Sequence, residues 1–150
     1  MGSIMKRLII ATSNPHKVEE IESVLGQIGI VCVALGDAGI PEPEEDGTTF
    51  EANARIKAIA YAKAVGATVL ADDSGLEVDA LGGRPGVHSA RFAGIGATRE
   101  QRDAANNARL LRELDGVADA QRGARFVCVL CVARPDGTVA AQARGHFEGR

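Results

Sequence analysis

The sequence has little of what marks a nucleic-acid-binding, membrane-spanning or secreted protein. Its 17 Lys and Arg are outnumbered by 20 Asp and Glu, and no basic run is present that could follow a phosphate backbone. No apolar stretch approaches the roughly 20 residues that span a bilayer, and the first residues lack the hydrophobic segment of a signal peptide. We therefore expect a cytoplasmic protein that binds neither nucleic acid nor membrane.

Cysteine is also scarce, and its placement argues against a disulfide framework. Three cysteines are present, an odd number that fits a reducing compartment. Cys128 and Cys131 have the C-x-x-C spacing of redox and zinc sites, but they lie in the apolar run 126–132, which indicates a buried strand. Residues three apart on a strand point to opposite faces, so we interpret both as core residues.

The chain is long enough for one ordinary hydrophobic core, and we predict a single domain over residues 5–150 with residues 1–4 as an extension. Strand and helix patterns alternate along its first half, and a hairpin at Asp136-Gly137 follows a later helix. The predicted strands cover residues 7–12, 31–35, 68–71 and 124–133, with a last one from residue 138, and the predicted helices begin near residues 15, 48 and 99. This order predicts an α/β fold with a mixed β-sheet and flanking helices.

Helix ends and apolar faces are predicted from spacing. Gly29 is expected to end the first helix. The second helix is expected to begin at Thr48 or Thr49, and Thr48 with Glu51 has the spacing of a capping box. The expected apolar faces are Ile21, Val24, Leu25 and Ile28 on the first helix, and Ala104, Ala108, Leu111 and Leu114 on the helix over residues 99–114.

A polar turn between the first strand and the first helix could bind an anion. Its residues are Thr12, Ser13, Asn14, Pro15, His16 and Lys17. Hydroxyls, an amide, an ammonium and the N–H groups of a helix N-terminus can converge on one phosphate. The alternative is that Ser13 or Asn14 merely caps the helix and that Lys17 is solvated. These residues alone leave both interpretations open.

Acidic residues occur in two places. Glu42, Glu44, Glu45 and Asp46 lie in the loop before the second helix, where acids are usually solvated. Asp72 and Asp73 follow residues 68–71, and we predict that the strand ends there. Adjacent carboxylates are costly to desolvate, and Mg²⁺, which needs only one or two carboxylates, would relieve that cost. Lys57, on the helix after the acidic loop, is either a surface charge or a phosphate contact.

Four motifs together resemble the inosine triphosphate pyrophosphatase family, whose members are also called XTP/dITP diphosphatases. They are Ala11-Thr-Ser-Asn-Pro-His-Lys17; Glu45-Asp-Gly-Thr-Thr-Phe-Glu-Ala-Asn53 with Lys57; Ala71-Asp-Asp-Ser-Gly-Leu-Glu-Val-Asp-Ala-Leu-Gly-Gly-Arg-Pro-Gly86; and Ser89-Ala-Arg-Phe92. The resemblance runs over essentially the whole chain from Met5. It implies an elongated, two-lobed mixed α/β protein with a cleft, generally a homodimer and dependent on Mg²⁺.

The resemblance also implies an activity and residue roles. The activity is hydrolysis of ITP, dITP and XTP to the monophosphate and pyrophosphate, which cleanses the nucleotide pool. Residues 12–17 and Lys57 would bind the triphosphate, and Ser74 would contact substrate. Glu45 and Asp73 would hold the metal, and Asp73 would also act as the catalytic base. A water activated at Asp73 would attack the α-phosphorus without a covalent intermediate.

The sequence departs from the family at one point. Family members continue into a Phe-Gly-Tyr-Asp segment and a Ser-His-Arg motif that contact the purine base, and nothing before Arg150 matches either. We therefore expect the base-recognition residues beyond Arg150 and assign them to no residue here. Two alternatives stay open: a non-catalytic nucleotide-binding or dimerisation fragment of this fold, and a related phosphohydrolase of pyrimidine nucleotides.

Overall fold

The computed structural model describes residues 6–36 and 38–150, so the predicted extension at residues 1–4 lies outside it. Within these described residues, five strands and three α-helices follow one another. The strands are β1 (Lys6–Ala11), β2 (Ile30–Ala34), β3 (Val69–Val78), β4 (Ala124–Ala133) and β5 (Val139–Gly149). The helices are α1 (Pro15–Gly26), α2 (Phe50–Val65) and α3 (Arg99–Glu113), with short 3-10 turns at Asp79–Leu81, Gly86–Arg91 and Asp119–Gln121. No helix in the described ranges is both long and apolar enough to cross a membrane.

The strands form one mixed sheet, as predicted. Their order is β2-β1-β3-β4-β5. β1 runs parallel to both neighbours, with Ile10 opposite Ala34 on one side and Leu70 on the other. β4 and β5 are joined by the predicted hairpin, where the N–H of Gly137 donates to the carbonyl of Arg134 at 2.9 Å. A connection this short makes these two strands antiparallel.

The chain divides into two compact units, each with its own buried residues. In the first unit, residues 1–72 and 129–143, the apolar face of α1 packs on Leu8, Ile10 and Leu70. The inward side of α2 is made of small residues, Ala54, Ala58 and Ala62, all fully buried. In the second unit, residues 73–128 and 144–150, the buried apolar residues are Val78, Phe92, Leu114 and Val127.

The cysteines of β4 behave as core residues of a strand. Burial alternates along β4, and Cys131 is fully buried on the same face as Val129 while Cys128 is half-buried. Burial also raises the pKa of the Cys131 thiol, which disfavours the reactive thiolate. The predicted placement of the C-x-x-C pair on opposite faces is confirmed.

The prediction that a strand ends at Asp72 and Asp73 is wrong. β3 continues through both residues to Val78 and is ten residues long. Its pairing with β1 extends only to Ala11 opposite Ala71, but its other neighbour, β4, is also ten residues long. Because β4 still offers backbone partners where β1 stops, the polar residues stay in the strand.

Two predictions about α1 and α2 also need correction. α1 ends at Gly26 rather than at Gly29, and Val24 and Ile28, expected on its apolar face, are 64% and 70% exposed. α2 is capped by Thr49, whose hydroxyl accepts from the N–H of Ala52 at 3.1 Å, and not by Thr48. The burial of Phe50 and of an alanine every four residues after it fixes this register.

The predicted apolar side of α3 is wrong except for Leu114. Ala104, Ala108 and Leu111 are exposed. The side that faces the 3-10 turn at Gly86–Arg91 is polar: Asn106 accepts from the N–H of Ala93 at 2.8 Å and donates to two carbonyls of that segment. The backbone of such a segment has N–H and C=O groups that no neighbouring strand or helical turn pairs with. Polar side chains of α3 form hydrogen bonds with these groups.

The core of the first unit generates a stability prediction. Ile10→Ala should lower the free energy of unfolding by about 2–5 kcal/mol, because Ile10 is fully buried and the truncation leaves a cavity. Ile28→Ala removes the same atoms from a residue that is 70% exposed, and it should cost less than about 0.5 kcal/mol. Urea unfolding of both variants checks this, and equal losses would contradict the placement of Ile10 in the core.

Candidate functional site

The turn between β1 and α1 is a helix cap. The side chain of Asn14 accepts from the N–H of His16 at 3.0 Å, and the hydroxyl of Thr12 accepts from the N–H of Asn14 at 3.2 Å. Pro15 occupies the first position of the helix, where its missing N–H costs nothing. Ser13, Pro15 and His16 are exposed. The capping interpretation is therefore correct for Asn14.

Lys17, in the first turn of α1, is not solvated. Its ammonium donates to Oδ2 of Asp72 in β3, and its side chain is only 21% exposed. Asp72 is a buried residue of the sheet, so its carboxylate needs a cation close by. The structure thus brings together a lysine and an aspartate that lie 55 positions apart in the sequence.

A second ion pair joins the acidic loop to α2. Nζ of Lys57 lies 2.9 Å from Oε1 of Glu45, and both side chains are mostly buried, at 14% and 18% exposure. Glu42, Glu44 and Asp46 are exposed, as is usual for loop acids. Of the four acids in this loop, only Glu45 is held against the helix.

Two more residues of α2 face the same loop. Asn53, four positions before Lys57, accepts from the N–H of Gly47 at 2.8 Å and is fully buried. Tyr61 is four positions after Lys57, and burial together with the carboxylate of Glu42 raises the pKa of its phenol. The prediction from sequence missed the role of Asn53, although its spacing from Lys57 places both on one helix face.

Asp73 and Ser74 follow Asp72 directly in β3. Asp73 is buried at 7% exposure and Ser74 is half-buried. Successive side chains of a strand point to opposite faces, so Asp72 and Asp73 do not present their carboxylates side by side. The cation that compensates Asp72 is Lys17, so the charge of Asp72 needs no metal ion.

The metal-binding residue types form no ready-made three-ligand site in the described part of the chain. Within residues 6–36 and 38–150, no three His, Cys, Asp or Glu side chains are grouped so that they could hold a metal ion. Mg²⁺ needs only one or two carboxylates, since water and substrate phosphates complete its shell. The carboxylates of Glu45 and of Asp73 are each a hard oxygen donor, a type that suits Mg²⁺ better than a zinc site.

The glycine-rich segment after β3 is a tight turn. Gly82 and Gly83 have φ of +65° and +92°, and the N–H of Gly83 donates to the carbonyl of Val78 at 2.9 Å. Ser89 then links this segment back to β3, because its hydroxyl donates to the carbonyl of Gly86 at 2.6 Å and accepts from the N–H of Leu76 at 2.9 Å. Ser89, in the motif at residues 89–92, is thus hydrogen-bonded to Leu76 and Gly86 of the motif at residues 71–86, within the second unit.

Comparison with known proteins decides the family. The model of the Ham1 family matches residues 8–150. The chain belongs to the Ham1 family. This membership confirms the resemblance to inosine triphosphate pyrophosphatases drawn from the motifs.

Relatives of the family match nearly the whole chain. A dITP/XTP pyrophosphatase of an Exiguobacterium species is 54% identical over 144 residues, which cover 95% of this chain and 70% of the relative. The dITP/XTP pyrophosphatase of Bacillus subtilis is 50% identical, covering 97% of this chain and 72% of its own length. Both belong to the predicted enzyme class, nucleoside triphosphate pyrophosphatases.

Solved structures agree with the fold. A HAM1 protein from Coxiella burnetii superposes with a TM-score of 0.83 at 36% identity, covering 97% of this chain and 72% of that one. The nucleoside-triphosphatase or dITP/XTP pyrophosphatase of Mycobacterium abscessus superposes with a TM-score of 0.75 at 42% identity, covering 95% and 73%. The α/β fold with a mixed sheet is therefore the fold of this family.

The buried pair generates a prediction about stability. Lys17→Met should lower the free energy of unfolding by about 3 kcal/mol, because it leaves the carboxylate of Asp72 buried without its cation. Adding Asp72→Asn removes that charge and should recover most of the loss. Urea unfolding of the single and double variants at neutral pH measures the difference. A double variant no more stable than Lys17→Met would contradict the pairing.

Proposed function

We propose that this protein hydrolyses the non-canonical purine nucleoside triphosphates ITP, dITP and XTP to the monophosphate and pyrophosphate. The observation that supports this most directly is the two mostly buried lysine–carboxylate pairs, Lys17 with Asp72 and Lys57 with Glu45, at the motif positions of a chain about half identical to dITP/XTP pyrophosphatases. Such an enzyme removes deaminated purines from the nucleotide pool. By resemblance to the family, we propose that it acts in the cytoplasm as a homodimer.

The triphosphate would be bound at residues 12–17 and at Lys57. Pro15 has no N–H, and Asn14 already accepts from the N–H of His16. The turn therefore attracts an anion mainly through the ammonium of Lys17, which is held close to the turn by Asp72. The hydroxyls of Thr12 and Ser13 add polar contacts.

Glu45 and Asp73 would hold Mg²⁺. When bound, the ion supplies charge stabilisation on the phosphate oxygens. Glu45 and Lys57 neutralise each other in this structure. With substrate and metal bound, the ammonium of Lys57 would pair with phosphate and the carboxylate of Glu45 would help to hold the ion, so neither residue would be left as an uncompensated charge.

Asp73 would act as the base and Ser74 would contact the substrate. The carboxylate of Asp73 is buried, at 7% exposure, and therefore lies largely out of bulk solvent. It would take a proton from the water that attacks the α-phosphorus, while Lys17 and Lys57 stabilise the charge that develops on the phosphates.

A pyrophosphate-release assay tests the proposed function. The 150-residue chain is given dITP, XTP, ITP, GTP or dTTP, with and without Mg²⁺. We expect release that requires Mg²⁺ and is faster from the purine nucleotides than from dTTP. Nucleotide binding without release under any condition would favour the non-catalytic module, and faster release from dTTP would favour the pyrimidine phosphohydrolase.

The role of Asp73 gives a sharper prediction. Asp73→Asn should lower kcat at least about 100-fold with little change in the unfolding midpoint, because the amide cannot accept the proton and lacks the charge. Asp103→Asn changes the same group on an exposed position of α3, and we expect it to keep normal activity. Near-normal turnover of Asp73→Asn would show that the base has been misassigned.

A further inference from the structure

The acidic loop is attached to α2 at successive turns of the helix. Asn53, Lys57 and Tyr61 are spaced four residues apart and so lie on one face. Asn53 binds the backbone of Gly47 and Lys57 binds the carboxylate of Glu45. These contacts lie on either side of Asp46, so the loop is held by its backbone on one side of this residue and by a side chain on the other.

The hydrogen bond from Gly47 fixes the orientation of the Asn53 amide. A backbone N–H can only donate, so the atom 2.8 Å from it must be Oδ1. Nδ2 then makes no hydrogen bond with any described residue, although it is buried. A buried donor without a partner costs free energy. What Asn53 contributes is the acceptor at its other end.

Gly47 lies so close to α2 that no other residue fits. A Cβ on Gly47 would lie 2.6 Å from Oδ1 of Asn53 and 2.8 Å from Cβ of Ala52, both well inside contact distance. The backbone of the loop therefore rests directly on the helix. Two residues later along this loop, Thr49 caps α2 through the N–H of Ala52, so the helix start and the loop are fixed together.

We propose that Asn53 is a positioning residue for Glu45: by accepting from the N–H of Gly47, it holds the loop in the geometry in which the carboxylate of Glu45 faces Lys57 and can take a divalent cation. The inference rests on the proposed function for the assignment of Glu45 as a metal ligand. The contact between Asn53 and Gly47 does not depend on that assignment. Residues that orient a metal ligand typically change metal affinity 10–100-fold when they are replaced.

The test combines metal binding with hydrogen exchange of the loop. Asn53→Ala should weaken Mn²⁺ binding at least about 10-fold in a direct titration followed by electron paramagnetic resonance. It should also speed exchange of the Gly47 amide, which loses its acceptor. With triphosphate substrate, kcat should recover at high Mg²⁺, because the ligand is misplaced and not lost.

A matched control separates positioning from general destabilisation. Ala62→Gly weakens the same helix at a fully buried position nine residues further along and touches none of the loop contacts described above. It should leave Mn²⁺ affinity within about twofold and the Gly47 amide protected. Equal effects of both variants on Mn²⁺ affinity would overturn the proposal. If Asn53→Ala does not fold, Gly47→Ala perturbs the same contact from the loop side and should weaken Mn²⁺ binding.

Glu45→Gln distinguishes this proposal from the proposed function. It should weaken Mn²⁺ binding and leave the exchange of the Gly47 amide unchanged. Unaltered Mn²⁺ binding in Glu45→Gln would overturn the assignment of Glu45 as a ligand, and with it the part of the inference that concerns metal. Unaltered exchange of the Gly47 amide in Asn53→Ala would show that Asn53 does not hold the loop. This outcome would overturn the proposal regardless of which residues bind the metal.

Discussion

A carboxylate buried in the middle strand of the sheet has to be matched by a cation, and the β1–α1 segment follows from this constraint. Asp72 comes directly after the pair formed by Ala11 and Ala71, where β1 ends. The chain must therefore bring a lysine to that point within a few residues. The cap at Asn14 and the fixed backbone of Pro15 start α1 at once, so Lys17 falls in its first turn and reaches Asp72.

The same physics explains why both lysines assigned to phosphate binding are paired with carboxylates. An ammonium that is mostly buried, as on Lys57, is costly unless an opposite charge is near. Pairing keeps each lysine in place and limits the side-chain entropy that a ligand has to remove on binding. The pairs thus keep both ammonium groups within a stable fold at the positions where we propose that phosphate binds.

The sequence correctly predicted those elements whose ends depend on residues nearby in the chain. The strand over residues 124–133 and the hairpin at Asp136-Gly137 depend on apolar alternation and on a turn-forming pair, and both were predicted at their observed positions. The extent of β3 and the inward side of α3 depend on neighbours distant in sequence. β4 sustains β3 beyond Ala71, and the turn at Gly86–Arg91 selects the polar side of α3, which includes Asn106.

Adjacency in the sequence did not predict the different surroundings of Asp72 and Asp73. The adjacency of Asp72 and Asp73 predicted that a metal ion would relieve the cost of burying their charges, but alternation along a strand gives adjacent residues different surroundings. Asp72 is committed to Lys17, whereas the role proposed for Asp73 concerns the substrate and metal. Asn53 is the opposite case. It lies in the motif at residues 45–53, but its hydrogen bond with Gly47 is seen only in the structure. Spacing in the sequence indicates candidate site residues. The strand or helix face on which each residue lies then decides which of them can act together.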